Sequence, residues 1–173
     1  MGSPIVREAL QRGNSVYFPD RAIPMLPERL SADVCSLRPG TDRLVAVVEL
    51  DLDASGRIVR RGFYPGVIRS RARLVYQDVA PVMEGSGAGH PQAVVLERLA
   101  EAAARLRRRR LRGGSIDFDL PAAEIVLDAK GYPSDVRRAA RTVAHRAVEE
   151  AMLAANRAVA ELLVGAEAPA VHR

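Results

Sequence analysis

Lysine is almost missing from this chain. Of its 26 basic residues only Lys130 is lysine and the rest are arginine. The composition of a GC-rich coding sequence accounts for that ratio. Tryptophan is absent, and the aromatics are only Tyr17, Phe18, Phe63, Tyr64, Tyr76, Phe118 and Tyr132. Cys35 is the single cysteine, which excludes an internal disulfide and agrees with a reducing compartment. No apolar run is long enough to span a bilayer, and MGSPIVREALQRG lacks a secretory leader, so no membrane is expected and the default location is cytoplasmic. His90, His145 and His172 have no zinc-like spacing, and no G-x-S-x-G nucleophile motif or phosphate-binding P-loop occurs.

What is present suits one domain or a large piece of one: 173 residues, of which 48% are apolar. The net charge of +5 and a pI near 10.1 favour an anionic partner. Guanidinium groups match phosphate oxygens in shape and charge.

Ile5 to Gln11 predicts a short helix stopped at Gly13, and Ser15 to Phe18 a short strand ended by Pro19-Asp20. Two prolines bracket Met25-Leu26 as an extended connector. Leu44 to Leu52 and Ile58 to Ile68 flank the turn residues Asp53 to Gly56 and read as a hairpin. Because VAVVEL barely alternates, its strand is expected to be central and covered on both faces. Leu74 to Met83 reads as helical, and Glu84 to Pro91 as a glycine-rich loop. A longer helix is expected from Gln92 to Leu111, with an apolar stripe of Val95, Leu99, Ala102, Ala103 and Leu106. Ser115 to Phe118 and Glu124 to Asp128 read as strands, and a last helix is expected from Ser134, its N-cap, to Leu163.

On that last helix, Val136, Ala140, Val143, Ala147, Ala151, Ala154, Ala158 and Leu162 fall on one face. Arg138, Arg141, His145, Glu149, Met152 and Asn156 fall on the other. This second face is either solvated, with i,i+4 contacts among Arg141, His145 and Glu149, or the wall of a groove meeting phosphate and sugar oxygens. The run RLRRRRLR (105–112) sits where a helix dipole favours cations, and it also suits nucleic acid. The pairs Asp51/Asp53 and Asp117/Asp119 read as surface acids beside turns, and no metal site or catalytic residue is assigned.

Four ordered blocks carry a resemblance: RGNSVYFPDRAIPMLPERLSADVCSL (12–37), RSRARLVYQDV (69–79), RLRGGSIDFDLPAAEIVL (110–127) and RRAARTVAHRAVEEAMLAANRAVAELL (137–163). Together they resemble the catalytic RNB domain of the ribonuclease II / ribonuclease R family over nearly the whole chain. The resemblance implies a Mg²⁺-dependent 3′→5′ exoribonuclease acting on single-stranded RNA to release nucleoside 5′-monophosphates. By motif position, Tyr17 and Phe118 are similar to aromatics that clamp terminal bases. Tyr76 resembles a tyrosine at the 3′-terminal ribose, and Glu149 a glutamate lining the same end of the channel. With Arg141 and His145 from the polar helix face, these form the expected RNA-binding set.

The sequence departs from the family at two places. Nothing like its D-x-D-D metal-binding cluster occurs, and neither does its HFTSPIRRY-like arginine block. The flanking cold-shock and S1 domains are not represented either. The chain is therefore expected to be a partial RNB domain over residues 1–173, of mixed α/β class with a largely antiparallel central sheet and surrounding helices. Three readings stay open: a piece of an exoribonuclease that works with the missing parts of the same enzyme, a non-catalytic RNA-binding remnant, or a degenerate fragment without activity of its own.

Overall fold

Small polar caps and glycines set the first element. The Ser3 hydroxyl accepts from the Val6 N–H at 3.3 Å, Pro4 enters the first turn, and Gly13 closes the helix in the left-handed region at φ 71°. The resulting α1 spans Pro4–Arg12 in a computed structural model that describes residues 2–87, 89–117 and 122–171.

Two strands follow, β1 (Val16–Tyr17) and β2 (Ala22–Ile23), paired antiparallel with Val16 opposite Ile23. The Met25 N–H donates to Ser15 Oγ at 2.8 Å, which fastens the proline-bracketed connector expected there. A π-helical segment, Arg29–Val34, comes next. Arg43 holds it by donating to the Ser36 and Asp33 carbonyls and to Asp33 Oδ1.

The long hairpin joins β3 (Asp42–Leu52) to β4 (Ile58–Arg69). Its turn is closed by Asp53, whose Oδ1 accepts from Ser55 N–H, Ser55 hydroxyl and Arg57 N–H at 2.7–2.9 Å. Gly56, at φ 80°, lies so close to α3 (Ala93–Arg112) that a Cβ would sit 2.5 Å from the Arg105 carbonyl oxygen. Between them, α2 (Tyr76–Pro81) runs into a π-helical turn, Val82–Ser86. The remaining elements are β5 (Ala123–Leu127), β6 (Pro133–Arg138) and α4 (Val143–Gly165).

The chain divides into two compact units. One holds α1, β1, β2, the first π segment, β5 and β6. The other holds the outer hairpin Val45–Gly66, α2, α3 and α4. The core of the second unit is Val79, Ala80, Val82, Leu96 and Ala144, flanked by Met83, Ala93 and Val143. Alanines at 103, 147, 154 and 158 are also buried, so the helices of this unit are lined by small side chains.

The mixed α/β class stands, with antiparallel hairpins, and among the described residues the strands form three separate two-stranded sheets rather than one central sheet. The strand β3 is not covered on both faces. Its burial alternates along its length, and among the described residues β4 is its one partner. The stripe of α3 holds except at its start: Ala103 is buried and Leu99, Ala102 and Leu106 are half-buried, whereas Val95 is 67% exposed and Leu96 is buried in its place. The largest correction concerns the last helix. Residues 133–138 form β6, paired with β5 from Ala123↔Arg138 to Leu127↔Pro133, and the helix starts only after the cap residue Thr142. Arg138 and Val136 therefore lie on a strand, Ala140 precedes the helix, and Ala151 is exposed. Cross-strand pairing outweighed a helical period that the alanine-rich stretch had seemed to extend.

Candidate nucleic-acid interface

The N-terminus of α4 organises the site. Thr142 and His145 form a capping box in which His145 takes the place usually held by Glu or Gln. The imidazole Nδ1 accepts from Thr142 N–H at 3.3 Å and lies 2.8 Å from the Thr142 hydroxyl. Nδ1 thus faces the cap and Nε2 lies on the other side of the ring. The ring then carries Tyr76, the first residue of α2, in a near-parallel stack with centroids 4.0 Å apart and planes 22° from parallel.

Arg141, one residue before the cap, reaches two acids among the described residues. It donates to Glu149 Oε2 at 2.7 Å and to Asp117 Oδ1 at 3.3 and 3.4 Å. Asp117 is held from its other oxygen by Arg107, at 3.2 and 2.7 Å. The Arg107 hydrogen bonds, reinforced by Arg141, hold the Asp117 carboxyl below the usual carboxylate range. Glu149, bonded to Arg141, and secondarily Asp117 push the Arg141 guanidinium up.

Adjacent glutamates on α4 play different parts because successive helical positions differ by about 100°. Glu149 is directed to Arg141. Glu150 is 3% exposed and accepts from Arg110 at 2.6 and 3.2 Å, joining α3 to α4. Sequence reasoning missed Glu150, and it read Asp117 as a surface acid. The spacing of Arg107 and Arg110 on one helix, facing an acid on the next segment and an acid on α4, was the available signal.

The structure thus brings together four of the expected residues, Tyr76, Arg141, His145 and Glu149. The i,i+4 contacts expected around His145 are replaced by its cap bond to Thr142 and by the direct Arg141–Glu149 pair. Tyr17, on β1 in the other unit, is 80% exposed, and Phe118 lies outside the described residues.

A divalent cation would need several converging carboxylates. Among the described residues no group of three His, Cys, Asp or Glu side chains could hold one. Asp51 is engaged by Arg60 at 2.6 Å, Asp53 by its own turn, and Asp117 by two arginines, while Asp119 lies outside the described residues. As placed, Asp51, Asp53 and Asp117 do not fit Mg²⁺.

With that geometry in hand, comparison with known proteins decides the family. The RNB domain matches residues 1–173. The chain belongs to the RNB-domain family. It is 44% identical over 176 residues to ribonuclease R of Aquifex aeolicus, covering 99% of this chain and 25% of that protein. The ribonuclease R of Mycoplasma genitalium in complex with ribose methylated single-stranded RNA superposes with a TM-score of 0.88 at 31% identity, over 96% of this chain and 27% of that one. The same protein in complex with double-stranded RNA gives 0.89 over 30% of its chain. This RNB chain spans about a quarter of the length of the Aquifex relative. No described helix is long and apolar enough to cross a membrane.

Proposed function

We propose that this chain binds the 3′ end of single-stranded RNA, as part of an RNB exoribonuclease domain acting in the cytoplasm. The observation that carries the reading is the Tyr76–His145 stack beside the Arg141–Glu149 pair at one helix N-terminus. Tyr76 offers a ring face to the terminal nucleotide, and His145 sets its orientation. Glu149 presents acceptors to ribose hydroxyls, the groups that distinguish RNA from DNA. Arg141 supplies positive charge for phosphate, with Tyr17 and Phe118 as further stacking rings. The ribonuclease R complexes with RNA support RNA as the partner class.

Hydrolysis of RNA to nucleoside 5′-monophosphates belongs, in this reading, to the whole enzyme. Mg²⁺ would there polarise the phosphoryl group and activate water, held by a D-x-D-D cluster that does not occur in this sequence. The D-x-D-D cluster and the arginine block are the missing parts with which this segment works.

The test is fluorescence anisotropy with a labelled single-stranded RNA, run beside a Mg²⁺-dependent degradation assay. Salt-sensitive binding without cleavage, weakened by Tyr76→Ala, is the expected result. Absence of binding at low salt would sink the RNA assignment. Nucleotide release by the pure chain would show a metal centre elsewhere in it.

A further inference from the structure

A chain of alternating charges runs from α3 to Glu149. Arg107 on α3 donates to Asp117 Oδ2 through Nε and Nη2, at 3.2 and 2.7 Å. The other oxygen of Asp117 accepts from Arg141 Nη1 and Nη2, at 3.3 and 3.4 Å. The same Arg141 Nη2 donates to Glu149 Oε2 at 2.7 Å. One guanidinium nitrogen thus stands between two carboxylates, with a proton for each. Asp117 is the most sheltered of the four side chains.

Each link has a physical reason. Glu149 is a long side chain open to solvent, and it loses rotamer freedom when it meets a ligand. Arg141 orients it, yet Arg141 precedes the cap of α4 and carries a flexible stem of its own. Asp117 gives that guanidinium a second anchor. The Arg141–Asp117 bonds are long for hydrogen bonds, but attraction between charges falls only as the inverse of distance, and the shelter of Asp117 limits its screening. A carboxylate is needed at this position. An asparagine amide has one accepting oxygen and one donating nitrogen, so in either orientation it turns N–H groups toward one of the two guanidiniums. Arg107 fixes the far oxygen with two bonds, which ties the chain of charges to a long helix.

We propose that Asp117 is a positioning residue for Glu149: through Arg141 it sets the carboxylate in the orientation that meets the ribose 2′-hydroxyl, with Arg107 as the fixed end on α3. The inference rests on the reading of Glu149 as the ribose contact. It makes the preference for RNA over DNA depend on an acid that itself touches no nucleotide. The contribution is one of preorganisation, because a carboxylate that is already ordered loses less freedom on binding.

The experiment measures affinity for a single-stranded RNA and for the DNA of the same sequence, by fluorescence anisotropy. The full chain is compared with its Asp117→Asn, Glu149→Gln and Asp117→Asn/Glu149→Gln variants, and urea unfolding checks that each one folds. Arg107→Gln, which keeps Asp117 and removes its anchor, is the second route if Asp117→Asn does not fold. The RNA-to-DNA affinity ratio should fall about fivefold in Asp117→Asn, the worth of one ordinary hydrogen bond, and less in Arg107→Gln. In the Glu149→Gln background, Asp117→Asn should change the ratio no further. Equal weakening of RNA and DNA marks a merely structural role and overturns the proposal. So does an Asp117 effect that persists undiminished without Glu149, or a ratio that Glu149→Gln lowers and Asp117→Asn leaves alone. NMR relaxation at the Arg141 Nε–H, without nucleic acid, separates the proposal from the reading beneath it. If Glu149→Gln leaves the ratio unaltered, the ribose reading fails. The hold of Asp117 on Arg141 is then upheld by greater mobility of that group in Asp117→Asn and overturned by unchanged mobility.

Discussion

Tyr76 and His145 lie ring on ring, 4.0 Å between centroids, while the same imidazole closes the N-terminus of α4 through Nδ1. One side chain thus positions an aromatic platform and caps a helix, and the two roles can be separated. His145→Gln keeps an acceptor at the capping-box position but loses the stack, whereas His145→Phe keeps a ring and loses the acceptor. In urea unfolding, His145→Phe should lose about 1 kcal/mol and His145→Gln much less. In RNA binding the order should invert, with His145→Gln the weaker binder. Identical ranking in both assays would refute the division of roles.

Glu150 should be the most costly single position on α4. Removing it leaves Arg110 facing a buried gap without its carboxylate. Breaking a buried pair in this way costs about 3–5 kcal/mol, and Arg110's remaining solvent access places Glu150→Ala near the lower end. Urea titration of Glu150→Ala, Arg110→Met and the double Glu150→Leu/Arg110→Met measures this. The double variant should recover part of the loss, because it leaves no unpaired charge.

Glu149 should behave differently from its neighbour. Its carboxylate is 42% exposed and its pair with Arg141 is solvent-screened, so Glu149→Gln should cost no more than about 1 kcal/mol of stability. The expected effect is on discrimination: the ratio of RNA to DNA affinity, for oligonucleotides of one sequence, should fall. An unchanged ratio would remove Glu149 from the ribose contact.

The hairpin turn should show an acid limit. Hydrogen bonds from the Ser55 hydroxyl and then the Arg57 N–H lower the Asp53 carboxyl from 3.8 to about 2. A depressed carboxyl contributes stability above the unfolded value, and that contribution is lost as pH falls from about 3.8 toward 2. Amide exchange at Ser55 and Arg57 should quicken across that window in the parent chain. In Asp53→Asn it should already be fast and show no such step.

The elements whose signals are local were the legible ones. Gly13 stopped α1, Asp53 to Gly56 made the hairpin turn, and the period of α3 gave its length to within a residue at each end. The start of α4 was misplaced because Pro133 to Arg138 has no strong strand composition, and its partner β5 decides its state. Of the site, Arg141, His145 and Glu149 were visible as a polar face, and Tyr76 entered by family resemblance. The burial of Glu150 and the pinning of Asp117 depend on arginines from α3, which no single segment reveals.

Gly56 has a consequence for how this protein can vary. Its φ of 80° and the 2.5 Å from a notional Cβ to the Arg105 carbonyl oxygen both reject a side chain. The turn that carries Arg57 is therefore seated directly on the backbone of α3, where no larger residue can act as a spacer. The spacing between hairpin and helix is thus gauged by main chain against main chain. A single methyl group at position 56 would push turn and helix apart.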